Sequence, residues 1–395
     1  MMVRSRLHGP VIGLLTGVLV IGAACSSSSN GKSAGAVSTT TSTAPATTSS
    51  TAAPAACPRA RPEADVAAPT GLAGIQMVGP QKGFAVGKGS ILVTDDGHTW
   101  TPRYSGGANF TAVNATDATH AWAVGDRALY GTADGGKTWK GRGNPDDGTV
   151  LRQVHFIDEH FGWGVGKGRL YRSGDGGSTW GELSPPCGAE AVCFTGQDDG
   201  WVGVGNRIAR STSGGDSWTP AFTLAAKGPS GEPIGDSYHI DQLQCARPGV
   251  VWATFIGEGA ATSHVPYVVF RGTADGQWTA VMKEAMTGPS DIKAPAGGSY
   301  PGWTSALGPD SAAFVLFTPP GDPPVSLAVA TDNGRRLSPA RPVPGLSQPL
   351  GAAFVNAATG WVLGARTEPS PAEVILATAD GGQTWQEQFN RPAPK

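Results

Sequence analysis

Residues that commonly carry enzyme chemistry are dispersed in this 395-residue chain, and their spacing predicts no catalytic site. Residues 131–138 match the phosphate-binding P-loop pattern, but a P-loop is followed by a helix whose N-terminus meets the phosphates. Trp139 comes next in this chain, in a stretch that predicts a strand. No Cys-x-x-Cys or His-Glu-x-x-His spacing occurs, and the seven histidines are scattered. We therefore expect no nucleotide site, no metal and no cofactor.

Charge and composition exclude two further classes of protein. Lys and Arg number 29 and Asp and Glu number 31, so the net charge of −2 argues against a nucleic-acid partner. Gly and Pro number 58 and 32, which is too many for a helical protein because Gly weakens a helix and Pro breaks it. The composition instead predicts an all-β protein of short strands joined by tight turns.

The first 24 residues predict an export signal. Arg4 and Arg6 precede an apolar run over residues 11–21, which is too short to cross a membrane as a helix. Small residues then lead to Cys25, and this arrangement resembles a bacterial lipobox. The resemblance implies cleavage before Cys25, a lipid on its sulfur, and a place on the outer face of the bacterial cytoplasmic membrane. An ordinary secretory signal is the alternative.

Residues 25–60 predict a disordered tether between the lipid and the folded domain. The segment consists mostly of Ser, Thr, Ala, Gly and Pro and contains no aromatic residue. Such a composition buries too little apolar surface to offset the loss of chain entropy on folding. We expect the folded domain to occupy residues 61–390.

The folded domain is built from sequence repeats. Seven segments contain a Ser/Thr-x-Asp-x-Gly-x-Thr-Trp sequence or an altered copy of it, and we call them the Asp turns. Asp can accept hydrogen bonds from nearby N–H groups and Gly supplies positive φ, so both residues favour a tight turn. Ser213 replaces the Asp in the fourth copy. The carboxylates expected to hold the other turns are Asp95, Asp134, Asp175, Asp275, Asp332 and Asp380.

A second element precedes the Asp turns. It reads Gly-Trp-x-Val-Gly in its fullest form, as at residues 162–166. A unit of about 40 residues with four short strands is typical of one propeller blade. The seven units predict a seven-bladed β-propeller over residues 61–390, with Trp side chains packed between neighbouring blades.

The Asp turn and the preceding strand resemble the Asp-box repeat, also called the bacterial neuraminidase repeat. Together they are most similar to the photosystem II stability and assembly factor propellers and their non-photosynthetic bacterial relatives. This resemblance implies a propeller with a basic face for a protein partner. Sialidases, sortilin ectodomains and xyloglucanases have similar boxes. In sialidases an Arg on the first inner strand helps to clamp the substrate carboxylate. Residues 75–80 contain no Arg, which argues against sialidase activity.

Four cysteines other than Cys25 predict two disulfides in an exported protein. Cys193 and Cys245 take equivalent positions on the inner strands of blades 4 and 5. Equivalent positions should face the same way around the ring, which argues against a bond between these two residues. We expect Cys187–Cys193, which leaves Cys57–Cys245 to tie the N-terminal arm to the ring.

Insertions in the repeats predict where a ligand binds. The spacing between the two repeat elements grows in the later blades, and the added residues fall on the face opposite the Asp turns. Long loops on a rigid scaffold commonly carry function. The corresponding turns of the first four blades are short and basic. The candidate ligand residues on this face are Lys88, Arg127, Lys167, Arg169, Arg207, Tyr238, His239, Glu258, His264, Tyr300, Trp303 and Arg366.

Trp303 is the one Trp, among twelve, that the repeats do not require. It is either an exposed anchor for a ligand beside Tyr300 or a core residue of blade 6. We expect an exported, lipid-anchored, non-enzymatic binding or assembly module whose partner is a protein or an anionic ligand such as a glycan. The alternative is a carbohydrate-active enzyme, sialidase-like or another glycoside hydrolase, or a lectin. Two facing carboxylates in a concave pocket would favour the hydrolase.

Overall fold

The computed structural model of the chain describes residues 71–184, 186–225, 238–246, 249–257, 265–284, 295, 300–318 and 324–392. These residues all belong to one compact unit, Ala56–Lys395. The predicted signal peptide and tether lie outside them, as do Cys25, Cys57, Glu258 and His264. The regular elements of the described residues are strands, which confirms the all-β prediction. None of these residues belongs to a helix that could span a membrane.

The described strands form six hydrogen-bonded sheets, which are the blades of a β-propeller. The first sheet contains β1 (Leu72–Met77), β2 (Gly83–Thr94), β3 (Thr101–Ala115), β4 (Ala121–Gly125), β5 (Leu129–Thr132) and β6 (Lys140–Gly141). The second contains β7 (Gln153–Phe156), β8 (Gly162–Gly166), β9 (Arg169–Ser173) and β10 (Gly181–Leu183). The third contains β11 (Ala191–Phe194), β12 (Asp199–Val204), β13 (Arg207–Thr212) and β14 (Thr219–Thr223).

The other three sheets follow in the same order along the chain. The fourth contains β15 (Tyr238–Ala246), β16 (Val250–Gly257), β17 (Tyr267–Thr273) and β18 (Trp278–Glu284). The fifth contains β19 (Tyr300–Ala306), β20 (Ala312–Phe317), β21 (Val325–Thr331), β22 (Arg336–Leu337) and β23 (Arg341–Pro342). The sixth contains β24 (Gln348–Phe354), β25 (Gly360–Arg366), β26 (Ala372–Thr378) and β27 (Gln386–Pro392). Neighbouring strands within the sheets pair antiparallel.

The described residues form six blades and not the seven that the repeats predict. The first two repeats share one sheet because β3 is continuous over 15 residues. Its first part pairs with β2, with Thr101 opposite Val93, and its second part pairs with β4, with Ala115 opposite Ala121. One strand therefore serves as the outer strand of the first repeat and as the inner strand of the second.

The first strand of each repeat lies at the centre of the ring. These inner strands are β1, the second part of β3, β7, β11, β15, β19 and β24, and each of them contacts the next. β24 contacts β1, so the last sheet packs directly on the first. Ile75, Trp100 and Trp361 belong to the hydrophobic cluster at this junction. Side-chain packing therefore closes the ring, because the described strands of these two sheets do not pair with each other.

Buried aromatic rings fill the seams between neighbouring repeats. Trp122 stacks on Phe156 with ring centres 3.8 Å apart, and Trp163 stacks on Phe194 at 3.6 Å. The indole N–H of Trp122 also donates a hydrogen bond of 2.9 Å to the carbonyl of Gly176 in the next Asp turn. Each such Trp side chain therefore buries a large apolar area and satisfies a polar group of the neighbouring repeat.

Side chains of the Asp turns bond the backbone of the same turn. Asp134 Oδ1 accepts the N–H of Thr138 at 2.9 Å, and Asp134 Oδ2 accepts the Thr138 hydroxyl at 2.7 Å. Hydrogen bonds from the hydroxyl and the backbone of Thr138 lower the pKa of Asp134 to about 2. Gly136, with a φ of 83°, donates its N–H to the Thr132 hydroxyl. Residues 131–138 therefore form an Asp turn, and strand β6 follows them instead of a helix.

Two of the expected turn carboxylates have other partners. In the first turn Asp96, and not Asp95, accepts the N–H of Thr99 at 2.7 Å, because Asp96 is the residue two positions after the turn's first Thr. Asp95 forms an ion pair of 2.6 Å with Lys82. Asp332 in the sixth turn has a φ of 55°, and its carboxylate lies within 4.0 Å of two arginine side chains.

The expected disulfide pairing is wrong. Cys193 is bonded to Cys245, with their Cα atoms 5.7 Å apart, so neither the Cys187–Cys193 nor the Cys57–Cys245 bond forms. Cys187 is also disulfide-bonded, and its partner lies outside the described residues. The bond joins inner strands β11 and β15 and thereby fastens the third sheet to the fourth.

The register of the strands explains why these two cysteines meet. Cys193 lies opposite Trp201, whereas the residue opposite Trp252 in the next sheet is Gln244, one position before Cys245. The two cysteines are therefore not at equivalent positions. Because successive side chains on a strand point to opposite faces, the offset of one residue turns the cysteines toward each other across the seam.

Candidate binding face opposite the Asp turns

The two faces of the propeller are distinguished by the turns that lie on them. Backbone N–H groups of the Asp turns donate to the loops between the first and second strands of the repeats, as from Gly135 to Thr119 at 3.0 Å and from Gly381 to Ala358 at 2.8 Å. The Asp turns and these loops therefore share one face. The turns between second and third strands, and the starts of the inner strands, lie on the opposite face, which we call the loop face.

A groove of about 590 Å³ lies on the loop face where three inner strands begin. It is formed by Asp241 and Gln242 of β15, residues 300–303 of β19, Phe317 of β20, and Gln348 and Pro349 of β24. Each of the three inner strands has a β-bulge at this place, at Asp241, Gly302 and Leu350. A bulge leaves one residue unpaired and bends its strand, so it re-aims the neighbouring side chains.

Gln242 connects two of the strands that form the groove. Its Nε2 donates to the Gly302 carbonyl at 2.7 Å and to Asp241 Oδ2 at 2.9 Å. Its Oε1 accepts the N–H of Thr304 at 3.0 Å. A single side chain therefore spans the seam between β15 and β19 and holds the Asp241 carboxylate in position.

Aromatic side chains form the wall of the groove on β19 and β20. Trp303 is 37% exposed and is the only large hydrophobic side chain classed as exposed in the described part of the chain. The rings of Tyr300 and Phe317 have centres 5.8 Å apart. The sequence leaves open whether Trp303 is exposed or belongs to the core of blade 6. The structure shows that it is exposed.

The groove contains one ionisable carboxylate and no Lys or Arg among its lining residues. Desolvation by the surrounding protein raises the pKa of the Asp241 carboxyl above its ordinary value, although the residue keeps an exposed surface. The hydrogen bond from Gln242 and the nearby His239 act in the opposite direction. A pair of facing carboxylates, as a glycoside hydrolase of the usual kind needs, is absent from the described lining.

Basic side chains lie elsewhere on the loop face. Arg169 is paired with Asp147 at 2.9 Å and with Glu182 at 3.2 Å. Four others are exposed and form no ion pair with a described residue, namely Lys88, Arg127, Lys167 and Arg207. Arg127 and Lys167 lie in the turns between the second and third strands of their repeats, Lys88 lies within β2, and Arg207 begins β13. None of the four lines the groove, so they present positive charge outside it.

The remaining candidates that the structure describes do not line the groove, and Glu258 and His264 lie outside the described residues. Tyr238 is buried, with 4% of its surface exposed, and His239 is half-buried. Arg366 forms an ion pair of 2.7 Å with Glu387. Among the predicted ligand residues that are described, Tyr300 and Trp303 are the two that line the groove.

The groove also contains residues that the sequence did not indicate. Asp241, Gln242 and Phe317 are remote from one another along the chain and belong to no motif. Gln348 and Pro349 are the first two residues of β24. The bulges in these strands are no signal for the groove, because β1 and β3 have the same bulge and do not line it.

Comparison with known proteins identifies the fold but assigns the chain to no family. No profile of a protein family and no curated protein matches this chain. The solved structure "YCF48 bound to D1 peptide" is 16% identical, with a TM-score of 0.53, and the match covers 79% of this chain and 94% of that one. At this identity the likeness supports a propeller and nothing finer.

Two glycoside hydrolases of family GH74 have a similar fold. The xyloglucanase from Xanthomonas campestris is 14% identical with a TM-score of 0.56, and the match covers 81% of this chain and 55% of that one. The enzyme from Niastella koreensis is 12% identical with a TM-score of 0.53, and the match covers 81% of this chain and 66% of that one. Propellers with different activities are therefore equally similar, and function has to be argued from the site.

Proposed function

We propose that this protein is a binding module whose loop face takes an extended segment of a partner protein. The observation that carries the proposal is the exposed Trp303 in a groove built where three inner strands begin. Exposed Trp and Tyr residues in a concave, rigid setting are typical anchors of protein interfaces. Lys88, Arg127, Lys167 and Arg207 are exposed outside the groove, so a ligand longer than the groove could contact both.

The charge distribution of the loop face supports a ligand larger than the groove. Lys88, Arg127, Lys167 and Arg207 belong to the first four repeats and have no ion-pair partner among described residues. Exposed charges of one sign steer an oppositely charged ligand and increase its association rate. An acidic part of the partner segment fits this arc, while another part occupies the groove.

A solved neighbour also favours a protein ligand. The structure titled "YCF48 bound to D1 peptide" is a propeller in complex with a peptide. Its identity to this chain is 16%, so it supports the proposal by analogy of fold alone. Hydrolysis of a glycan is the weaker proposal, because the groove residues that the structure describes include a single carboxylate.

The proposed location of the protein is the outer face of a bacterial cytoplasmic membrane. The apolar run before Cys25 supports export, and the small residues beside it support attachment of a lipid. The Ser- and Thr-rich residues 25–60 then supply a tether. An anchored propeller on such a tether can reach partners at the membrane surface.

A random peptide library displayed on phage and selected on the purified chain tests the proposed function. We expect enriched peptides whose binding weakens at least about tenfold in Trp303→Ala, as anchors of interfaces do. A variant with Lys88, Arg127, Lys167 and Arg207 all changed to Ala should also weaken binding, and should weaken it more at low salt. Peptides that bind both variants as tightly as they bind the wild type would contradict the proposal.

The control for charge removes four other exposed basic side chains. These are Lys137, Lys140, Arg335 and Arg336. The control has the same net charge as the test variant, so general electrostatics are equal in the two proteins. Binding that falls equally in both would show that net charge and not the loop face is responsible.

A further inference from the structure

We propose that the groove on the loop face binds a cationic side chain, a guanidinium or an ammonium group, of the partner segment. This inference deepens the proposed function and rests on it. It names the chemistry of one subsite, whose lining includes Asp241 of β15 and the aromatic residues Tyr300, Trp303 and Phe317. The occupant is an Arg or Lys residue of a partner protein.

The charge of the groove favours a positive occupant. Asp241 is its one charged residue, and the lining includes no Lys or Arg. Arg366 of β25 is paired with Glu387 at 2.7 Å. Desolvation raises the pKa of Asp241 and so disfavours its ionised form, and no described ion pair offsets that cost, so a cation bound beside the carboxylate would stabilise it.

The Asp241 carboxylate is oriented for such an occupant. Gln242 donates to Oδ2 at 2.9 Å and is itself fixed to Gly302 at 2.7 Å. The other oxygen, Oδ1, has no hydrogen bond to a described residue. A guanidinium or ammonium N–H can donate to that oxygen without displacing a hydrogen bond from any described residue.

The aromatic wall adds a second attraction for a cation. A cation over the face of a Trp or Tyr ring is stabilised by the negative potential of the ring, and the effect grows when the cation is desolvated. Trp303 supplies the exposed ring, while Tyr300 and Phe317 pack together beside it. A carboxylate and several aromatic rings lining one groove are a combination that binds cations in preference to neutral groups of equal size.

Two peptides that differ only in charge test this inference on the full chain. One is acetyl-Gly-Gly-Arg-Gly-Gly-amide, and the other has citrulline, the neutral isostere, in place of Arg. Binding is followed by calorimetry and by Trp fluorescence. We expect the Arg peptide to bind at least about tenfold tighter than the citrulline peptide. Asp241→Asn should remove that preference, while Asp146→Asn, an exposed Asp outside the groove, should keep it.

Variants at Trp303 separate the aromatic contribution from the charge. Trp303→Ala should weaken both peptides, and Trp303→Phe should restore most of the affinity for the Arg peptide. Equal binding of the two peptides with dependence on Trp303 would overturn the cation subsite and leave the proposed function standing. If neither peptide binds but the binding of phage-selected peptides still depends on Trp303, the cation subsite is again overturned and the proposed function stands. Saturable binding of cellobiose but of neither peptide would overturn both proposals in favour of a glycan site.

Discussion

Glu373 Oε1 accepts the backbone N–H of Leu72 at 2.9 Å, although 301 residues separate the two positions along the chain. Glu373 is 4% exposed, and its other oxygen is bonded by Arg391 at 2.7 Å. Leu72 begins β1 and Glu373 lies in β26, so this contact joins the first sheet to the last. It is the polar counterpart of the apolar cluster that closes the ring.

We predict that Glu373→Ala destabilises the propeller by at least about 2 kcal/mol, because it leaves the Leu72 N–H and the Arg391 side chain without their partner. Chemical denaturation followed by Trp fluorescence measures the change. Asp146→Asn, which removes an exposed carboxylate, is the control and should have little effect. A Glu373→Ala protein as stable as the wild type would show that packing alone closes the ring.

A second variant tests the same contact from the other side. A Cβ added at Gly71 would lie 1.3 Å from Glu373 Oε1, so Gly71→Ala must displace the carboxylate. We expect it to destabilise the protein in the same direction as Glu373→Ala. In the double variant the two effects should be less than additive, because both remove one interaction.

The Asp turns predict a defined pH dependence. Bonds from Thr138 hold the pKa of Asp134 at about 2, below its ordinary value of 3.8. A depressed pKa in the folded state gives stability that is full above the unfolded value and is lost as the pH falls toward the folded value. Asp134→Asn should therefore lower Tm at pH 7, and the difference from the wild type should shrink between about pH 4 and pH 2.

The fourth Asp turn supplies an uncharged control for that experiment. Ser213 takes the place of the Asp and accepts the N–H of Ser217 at 3.0 Å. Ser213→Ala should lower Tm by an amount that does not vary over the same acid range. A pH-independent effect of Asp134→Asn would mean that the carboxylate charge contributes nothing to the turn.

The Cys193–Cys245 disulfide predicts a large loss of stability on its removal. The bond spans 52 residues, and closing a loop of this length removes chain entropy worth about 4 kcal/mol from the unfolded state. Changing both cysteines to Ala should lower the free energy of unfolding by about that amount under oxidising conditions. Peptide mapping without reduction should join the segments that contain the two residues, whereas a Cys187–Cys193 link would overturn the observed pairing.

The repeats allowed the strands and the turns to be predicted, because they depend on local features such as the Asp and Gly of residues 131–138. The Cys193–Cys245 disulfide could not be predicted, since it depends on a one-residue offset between two sheets. Cys193 lies opposite Trp201, but Gln244, not Cys245, lies opposite Trp252. Such an offset changes the direction of a side chain and leaves the repeat pattern almost unaltered.

The number of sheets and most of the groove residues could not be predicted from the sequence either, because contacts between separate strands determine them. Only the continuous pairing of β3 shows that the first two repeats share a sheet. In the groove, Trp303 was indicated by its place outside the repeats, whereas Asp241 and Phe317 come together through three separate strands. Contacts between sheets depend on bulges and ring geometry, and single-sequence patterns report mainly what happens within one strand or turn.

The lipid anchor leads to the last prediction. Cys25 follows an apolar run and small residues, so we expect it to be the site of lipid attachment and the first residue of the processed protein. In a bacterial host, Cys25→Ala should stay uncleaved or leave the membrane fraction, and it should not incorporate a labelled fatty acid. Cys57→Ala should keep the label, because Cys57 lies in the tether and outside this motif. A Cys25→Ala protein that is still cleaved and still fractionates with the membrane would contradict the anchor. A wild-type protein that is cleaved but soluble outside the cell would instead favour an ordinary secretory signal.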